Sequence, residues 1–237
     1  MLRKLLAVPA AVTLIAAAAA PAHAATQKLF KPGKETYYAF VDQAVAARSE
    51  PKASARTVAT LKTRTPDKTD ELVLVLARTA DAEGDGWLQV SLPVRPNGTK
   101  GWVPESAMSE LQPLDTWLKI DTSGLKATLI KAGKAVFRAR IGVGQPQWQT
   151  PKGQFYIRSK LTGYDSAGSF YGPVAFGTSA TSDTLTDWPG GGYVGVHGTN
   201  QPGILPGRVS HGCVRLKNPD ILRLARLMPV GTPVTVS

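Results

Sequence analysis

Apolar residues recur along this chain in short alternating or β-branched runs rather than at helical spacing. Val58 to Leu61, Leu72 to Leu76, Trp87 to Leu92 and Gly101 to Pro104 form a first series. Turn formers such as Asp81 to Gly86 and Pro96-Asn97-Gly98 separate them, so the pattern predicts the strands of a small all-β barrel. Ser109 to Thr116, with Gln112-Pro113-Leu114, reads as a linker. A second series lies beyond it: Trp117 to Ile120, Ala127 to Ile130, Ala135 to Ile141 and Phe155 to Ile157, bounded by Ser123-Gly124, Ala132-Gly133 and Thr150 to Gly153. Alternation from Val136 to Arg140 leaves Arg138 and Arg140 on one face, which predicts a sheet with one wet side. One helix is expected: Ile221, Leu224, Ala225 and Met228 share a stripe, Asn218 is the expected cap, Pro219 suits the first turn and Pro229 stops it. Val230 to Val236 then reads as a terminal strand. The expected fold class is mainly β, with a short helix.

The first 24 residues break this pattern. Arg3 and Lys4 precede an almost wholly apolar run from Leu5 to Ala20, and Ala22-His23-Ala24 fits a small-x-small cleavage site. The run is interrupted by Pro9 and is short against the roughly 20 residues a spanning helix needs. An export signal over 1–24 is therefore expected, with cleavage after Ala24, and a retained anchor is the alternative. That places the protein in the periplasm or the cell wall. The chain beyond the signal suits one large domain or two small ones, and its composition favours two, 25–112 and 113–237.

Charge separates the same two parts. Residues 25–112 hold 12 Lys/Arg against 11 Asp/Glu, whereas 113–237 hold 14 against 6, with no glutamate. Such an excess attracts anionic partners through its summed field, or merely keeps the surface solvated. An export signal, and the lack of a basic run interleaved with aromatics, exclude nucleic acid and leave an anionic wall polymer as the sharper possibility.

The candidate chemistry lies in this basic part. Cys213 is the only cysteine, so no internal disulfide can form, and a lone thiol in an exported protein is intermolecular, inert or reactive. It stands in Ser210-His211-Gly212-Cys213-Val214-Arg215, after Val196-His197-Gly198-Thr199. A thiol with a pKa near 8.5 is only a few per cent ionised at neutral pH, and an imidazole is the natural acceptor of its proton, making the thiolate available for attack.

Ser210-His211-Gly212-Cys213-x-Arg215, with His197-Gly198-Thr199-Asn200 ahead of it, resembles the L,D-transpeptidase catalytic domain, also called the YkuD domain. The likeness spans roughly residues 116 to 237 and includes Thr150-Pro151-x-Gly153-x-Phe155 and Gly231-Thr232-Pro233-Val234. Gly86-Trp87-Leu88-x-Val90 and Gly101-Trp102-Val103-Pro104 resemble bacterial SH3-like domains. Trp87 and Trp102 are then either core aromatics of that barrel or ligand platforms. The resemblance implies an SH3-like barrel followed by a β-sandwich-like catalytic domain. It also implies a Cys213 nucleophile acting on peptidoglycan stem peptides as donor and acceptor, with D-alanine leaving and a 3-3 cross-link formed. No cofactor and no metal are called for.

Within that scheme His197 is the general base, with a carbonyl near Gly198 orienting its other nitrogen. His211 either touches substrate, if an extended chain puts it on the face of Cys213, or is a structural histidine. Gly212 offers N–H groups to an oxyanion together with Cys213, Ser210 fixes the turn, and Arg215 binds a substrate carboxylate or forms a structural salt bridge. Asp220 reads as a helix-dipole partner. Gly163 to Tyr193, with Tyr164, Tyr171, Trp188 and Gly190 to Gly192, has the composition of a mobile cover over the donor groove.

Other readings remain. Water as acceptor gives an L,D-carboxypeptidase, a D-amino acid gives exchange, and a protein lysine gives wall anchoring. A zinc site on His197, His211 and Cys213, a serine enzyme on Ser49-Glu50-Pro51-Lys52, and a non-catalytic wall-binding protein are the rivals outside this chemistry.

Overall fold

In the computed structural model of the chain, residues 25–163, 169–182, 184–185 and 192–237 are described. The expected export signal over 1–24 lies outside them. Among the described residues no helix is long and apolar enough to cross a membrane.

The first series of strands forms an eight-stranded sheet. Its order is Thr57–Leu61, Val45–Arg48, Lys100–Pro104, Gly86–Ser91, Leu72–Ala80, Thr36–Phe40 and Gln112–Leu114, with Gln27–Lys28 added on Leu72–Ala80. Alternate residues of these strands, Val73, Val75, Leu88, Val90 and Val103, are fully enclosed and make its core. Trp87 is 4% exposed and its indole N–H donates to Asp81 Oδ2 at 2.8 Å, so it is a core aromatic and not a platform. Gln112–Leu114, read as linker from Pro113, is a strand: it pairs antiparallel with Thr36–Tyr38. Proline is tolerated there because the strand lies at the sheet edge.

The second sheet has ten strands, in the order Lys134–Arg140, Lys126–Lys131, Thr116–Asp121, Pro233–Val236, Gly153–Thr162, Val174–Thr181, Tyr193–His197, Val214–Arg215, Gly142–Gly144 and Gly207–Ser210. Phe137 is buried while Arg138 and Arg140 are exposed, the one-sided wetting that the alternation predicts. Val174–Thr181 corrects the middle part of the reading of 163–193 as a cover. It is a central strand, and its small polar residues are satisfied internally: Thr178 Oγ1 donates to Val194 O at 2.6 Å, and Ser179 Oγ accepts the Tyr156 N–H at 3.1 Å. Tyr164, Trp188, Gly190 and Gly191, also assigned to that cover, lie outside the described residues.

The helix spans Asn218–Leu227 and buries Ile221 and Leu224 against the sheet. Lys217, not Asn218, occupies the cap position, because the Asn218 Oδ1 is turned to the Thr199 N–H at 2.9 Å. That bond ties the helix start to the residue two beyond His197. Asp220 sits in the first turn, 3.5 Å from Arg223, where it complements the helix dipole.

The two sheets touch through Leu72 and Leu74 of the first and Tyr156 of the second. Beside them Arg158 makes a two-point contact with Glu71, its Nε donating to Oε1 at 2.7 Å and its Nη2 donating to Oε2. Both side chains are almost fully enclosed, at 9% and 3% exposure.

Candidate active site

Parallel pairing of Tyr193–His197 with Val214–Arg215 builds the site. Val196 stands opposite Val214 and His197 opposite Arg215, so the two histidine-bearing blocks end on neighbouring strands. Cys213 immediately precedes the second strand, and its Sγ accepts the Gly195 N–H at 3.3 Å. A Cβ placed on Gly195 would lie 3.7 Å from His197 Cδ2 and 3.9 Å from Cys213 Sγ. The sulfur and the imidazole therefore converge over a residue without a side chain.

The tautomer of His197 is set by its partner. Nδ1 lies 2.6 Å from the Gly198 carbonyl oxygen, which can only accept, so Nδ1 carries the proton and Nε2 keeps its lone pair. Nε2 is buried and has no hydrogen-bond partner. Burial pulls the His197 pKa down to about 4; the nearby Arg215 cation works in the same direction, and the Gly198 carbonyl opposes both. Cys213 is half-buried at its surface, yet its enclosure pushes the thiol pKa up against the favourable Gly195 N–H and Arg215. Both shifts favour a neutral thiol and a neutral imidazole over a preformed thiolate.

The loop that presents Cys213 is bent. Gly212 has φ +115°, a value that disfavours side chains, so the extended path that would put His211 and Cys213 on one face does not exist. Ser210 Oγ donates to Cys213 O at 2.6 Å and accepts the Gly212 N–H at 3.1 Å. Thr150 Oγ1 donates to Gly212 O at 2.8 Å and accepts the Gly144 N–H at 2.9 Å. Ser210 is accordingly a brace of the turn, and the Gly212 N–H, expected to face an oxyanion, is already engaged. Gly198 lies against Gly172, and a Cβ there would also collide with Asn218 Oδ1, which explains why only glycine fits beside the base.

His211 and Arg215 both line the small pocket, about 50 Å3, that Cys213 and His197 also line. His211 is exposed and its ring lies on Trp148, with centroids 4.1 Å apart. Arg215 is 5% exposed, its Nε has no partner, and its guanidinium lies 4.4 Å over the Phe170 ring. None of the ion pairs among the described residues includes it. Among the described residues no group of three His, Cys, Asp or Glu side chains is placed to hold a metal ion.

Several wall residues fall in or next to the stretch read as a cover, though sequence reasoning assigned none of them a place in the site. Phe170 and Tyr171 roof His197, the Tyr171 ring meeting it edge-on at 4.9 Å. Ser182, Tyr193 and Val194 close another side. Thr150 had a signal, its place in the Thr-Pro-x-Gly-x-Phe block, but its bond to the catalytic loop had none.

The depressed His197 pKa makes a prediction for stability. Above pH 6.5 the imidazole is neutral in both folded and unfolded chains and contributes no pH dependence. As pH falls from 6.5 toward about 4 the unfolded chain takes up the proton and the folded one does not, so stability is lost over that window. Between pH 7 and pH 5 the wild type is expected to lose about 2 kcal/mol more than His197→Gln, measured by urea denaturation at each pH. Equal losses in both proteins would show that the imidazole is not buried in its neutral form.

The model of the L,D-transpeptidase catalytic domain, YkuD, matches residues 115–236. The putative L,D-transpeptidase YkuD of Bacillus subtilis is 35% identical over 97 residues, covering 41% of this chain and 51% of that protein. Its namesake in Bacillus licheniformis is 30% identical over 120 residues, covering 51% and 64%. The chain thus spans between about half and two thirds of these curated relatives. Among solved structures, the catalytic domain of an E. faecium L,D-transpeptidase is similar at 26% identity, covering 52% of this chain and 97% of that one with a TM-score of 0.38. Over residues 115–236, a little more than half its length, this chain belongs to the YkuD family of L,D-transpeptidase catalytic domains.

Proposed function

We propose that this protein is an exported, cysteine-dependent L,D-transpeptidase that forms 3-3 cross-links between peptidoglycan stem peptides. The observation that carries the reading is the buried, partnerless Nε2 of His197, its lone pair left free by the Gly198 carbonyl on Nδ1, in the pocket that Cys213 also lines. Residues 115–237 are the catalytic domain, 25–114 an SH3-like wall module, since Gln112–Leu114 pairs within the first sheet, and 1–24 the export signal. The basic excess of the catalytic part favours residence among anionic wall polymers.

The chemistry runs in two halves. His197 Nε2 takes the thiol proton as Sγ attacks the carbonyl of the third stem residue, and the oxyanion forms beside the Cys213 N–H. Collapse breaks the amide to D-alanine, whose nitrogen receives the proton from Nε2, and a thioester remains on Cys213. An acceptor amine then attacks the thioester, gives its proton to Nε2, and the thiolate leaves and is reprotonated. Arg215, a desolvated cation with a partnerless Nε, binds a stem carboxylate, and His211 with Trp148 forms the pocket mouth where the stem enters.

Incubating the protein with disaccharide-tetrapeptide and following it by mass spectrometry tests this. The expected products are an adduct lacking D-alanine on Cys213, then a cross-linked dimer. Release of tripeptide alone would make the acceptor water, and an unchanged tetrapeptide would sink the reading.

A further inference from the structure

The first sheet reaches into the wall of the catalytic pocket. The turn between its strands Gly86–Ser91 and Lys100–Pro104 carries Pro93, Arg95 and Asn97, and each holds a residue at the end of the strand pair that bears His197. Asn97 Nδ2 donates to Thr181 O at 2.7 Å, while its Oδ1 accepts from Thr181 N at 3.0 Å and Thr181 Oγ1 at 3.1 Å. Arg95 Nη2 donates to Ser182 O at 3.0 Å, and the Tyr193 hydroxyl donates to Pro93 O at 3.2 Å.

The side-chain amide of Asn97 stands where a strand would. Thr181 and Tyr193 are register partners, but the ladder between their strands is broken between Gly177 and Thr181. Because the Ser182 N–H bonds Gly192 O, the Thr181 N–H and C=O face the opposite edge of their strand, where pairing with Gly153–Thr162 ends at Thr178. Asn97 engages both groups, as a neighbouring peptide unit does. Thr181 and Ser182 are each 2% exposed, so no water replaces those bonds cheaply. One residue further, Ser182 donates its N–H to Gly192 O at 2.8 Å, which joins the two edges of the pocket wall. Tyr193 has a second hold: Arg158 of its own sheet, clamped by Glu71 at the start of the first sheet's strand Leu72–Ala80, lies 4.8 Å over its ring.

From this geometry we infer that Asn97 is a positioning residue for the catalytic pocket: through Thr181 and Ser182 it sets the wall at Tyr193 against which the donor stem peptide lies. The inference rests on the transpeptidase reading for its substrate. Cys213 and His197 stand outside its reach, since they are held by Gly195, Gly198 and the bonds of the 210–213 loop.

Asn97→Ala in the full chain is the test, with Arg95→Ala as the second variant should the first not fold. KM for disaccharide-tetrapeptide is expected to rise about tenfold with kcat within about threefold, the cost of losing one wall-setting contact. Alkylation of Cys213 by iodoacetamide should keep the wild-type rate. Hydrogen exchange at the Thr181 and Ser182 amides should quicken about tenfold or more, while the Val196 and Leu216 amides stay protected. Wild-type KM with unchanged exchange at 181–182 would overturn the inference. So would a loss of iodoacetamide reactivity in parallel with kcat, which marks a merely structural role. If the wild type itself leaves the tetrapeptide intact, the transpeptidase reading fails, and the exchange and alkylation pattern alone still decides the role of Asn97.

Discussion

Cys213→Ala is expected to lower the rate of D-alanine release from stem tetrapeptide by on the order of 10^5-fold, with no adduct detectable by mass spectrometry. The sulfur is the only thiol in the chain, so no other cysteine can inherit its role. His197→Gln should fall by a comparable factor, because without the Nε2 lone pair the neutral thiol has nowhere to send its proton. The double variant should then be no worse than either single one, since nucleophile and base act as one unit. Folding is not at stake in the first variant. The side chain makes one weak bond to the Gly195 N–H, and its truncation should cost no more than about 1 kcal/mol. Persisting product from folded Cys213→Ala would end the thiol mechanism.

The raised thiol and lowered imidazole also say when the nucleophile forms. A resting ion pair would be reactive toward any electrophile in solution. Burial raises the thiol and lowers the imidazole, so both favour their neutral forms, and in the proposed mechanism charge develops only as the carbonyl arrives. Arg215, opposite His197 in the strand register, is placed to favour that developing negative charge.

Half of the eighteen strands among the described residues were legible because each carries its own signal. Leu72 to Leu76, Trp87 to Leu92 and Ala127 to Ile130 alternate or cluster apolar residues, and the structure has strands over all three. Val174–Thr181 was not, because Gly177, Thr178 and Ser179 resemble a loop until their hydroxyls find partners in Val194 and Tyr156. Thr36–Phe40 and Val45–Arg48 are short strands whose burial comes from neighbours far along the chain. For the site, the blocks around His197 and Cys213 could be read as a pair, but their parallel register could not. The bend at Gly212 and the Gly198 partner of Nδ1 are local geometry that a residue string only permits. Asn97 carried no sign at all: in the sequence it is a turn residue, and its role arises only because a second sheet lies against that turn.

The same contact between sheets holds the largest stability effect expected of a residue outside the pocket. Glu71→Ala leaves the Arg158 guanidinium nearly enclosed, with its carboxylate partner gone and no water in reach of most of its surface. Breaking a buried pair from one side costs about 3–5 kcal/mol, which in a chain of this size lowers the melting temperature by roughly 10 °C. Replacing both partners, Glu71→Leu with Arg158→Met, should recover most of that loss, because it removes the unpaired charge and fills the same space. The comparison separates two accounts of the pair. If it stabilises chiefly by attraction, the double variant stays as weak as the single one. If the cost lies in stranding a charge, the double variant melts near the wild type, yet Tyr193 loses the cation beneath its ring and the donor KM rises with it. The second outcome is expected, since desolvation of two ions offsets nearly all their attraction. A Glu71→Ala protein within about 1 kcal/mol of wild type in urea denaturation would mean that the two sheets are not pinned at this point.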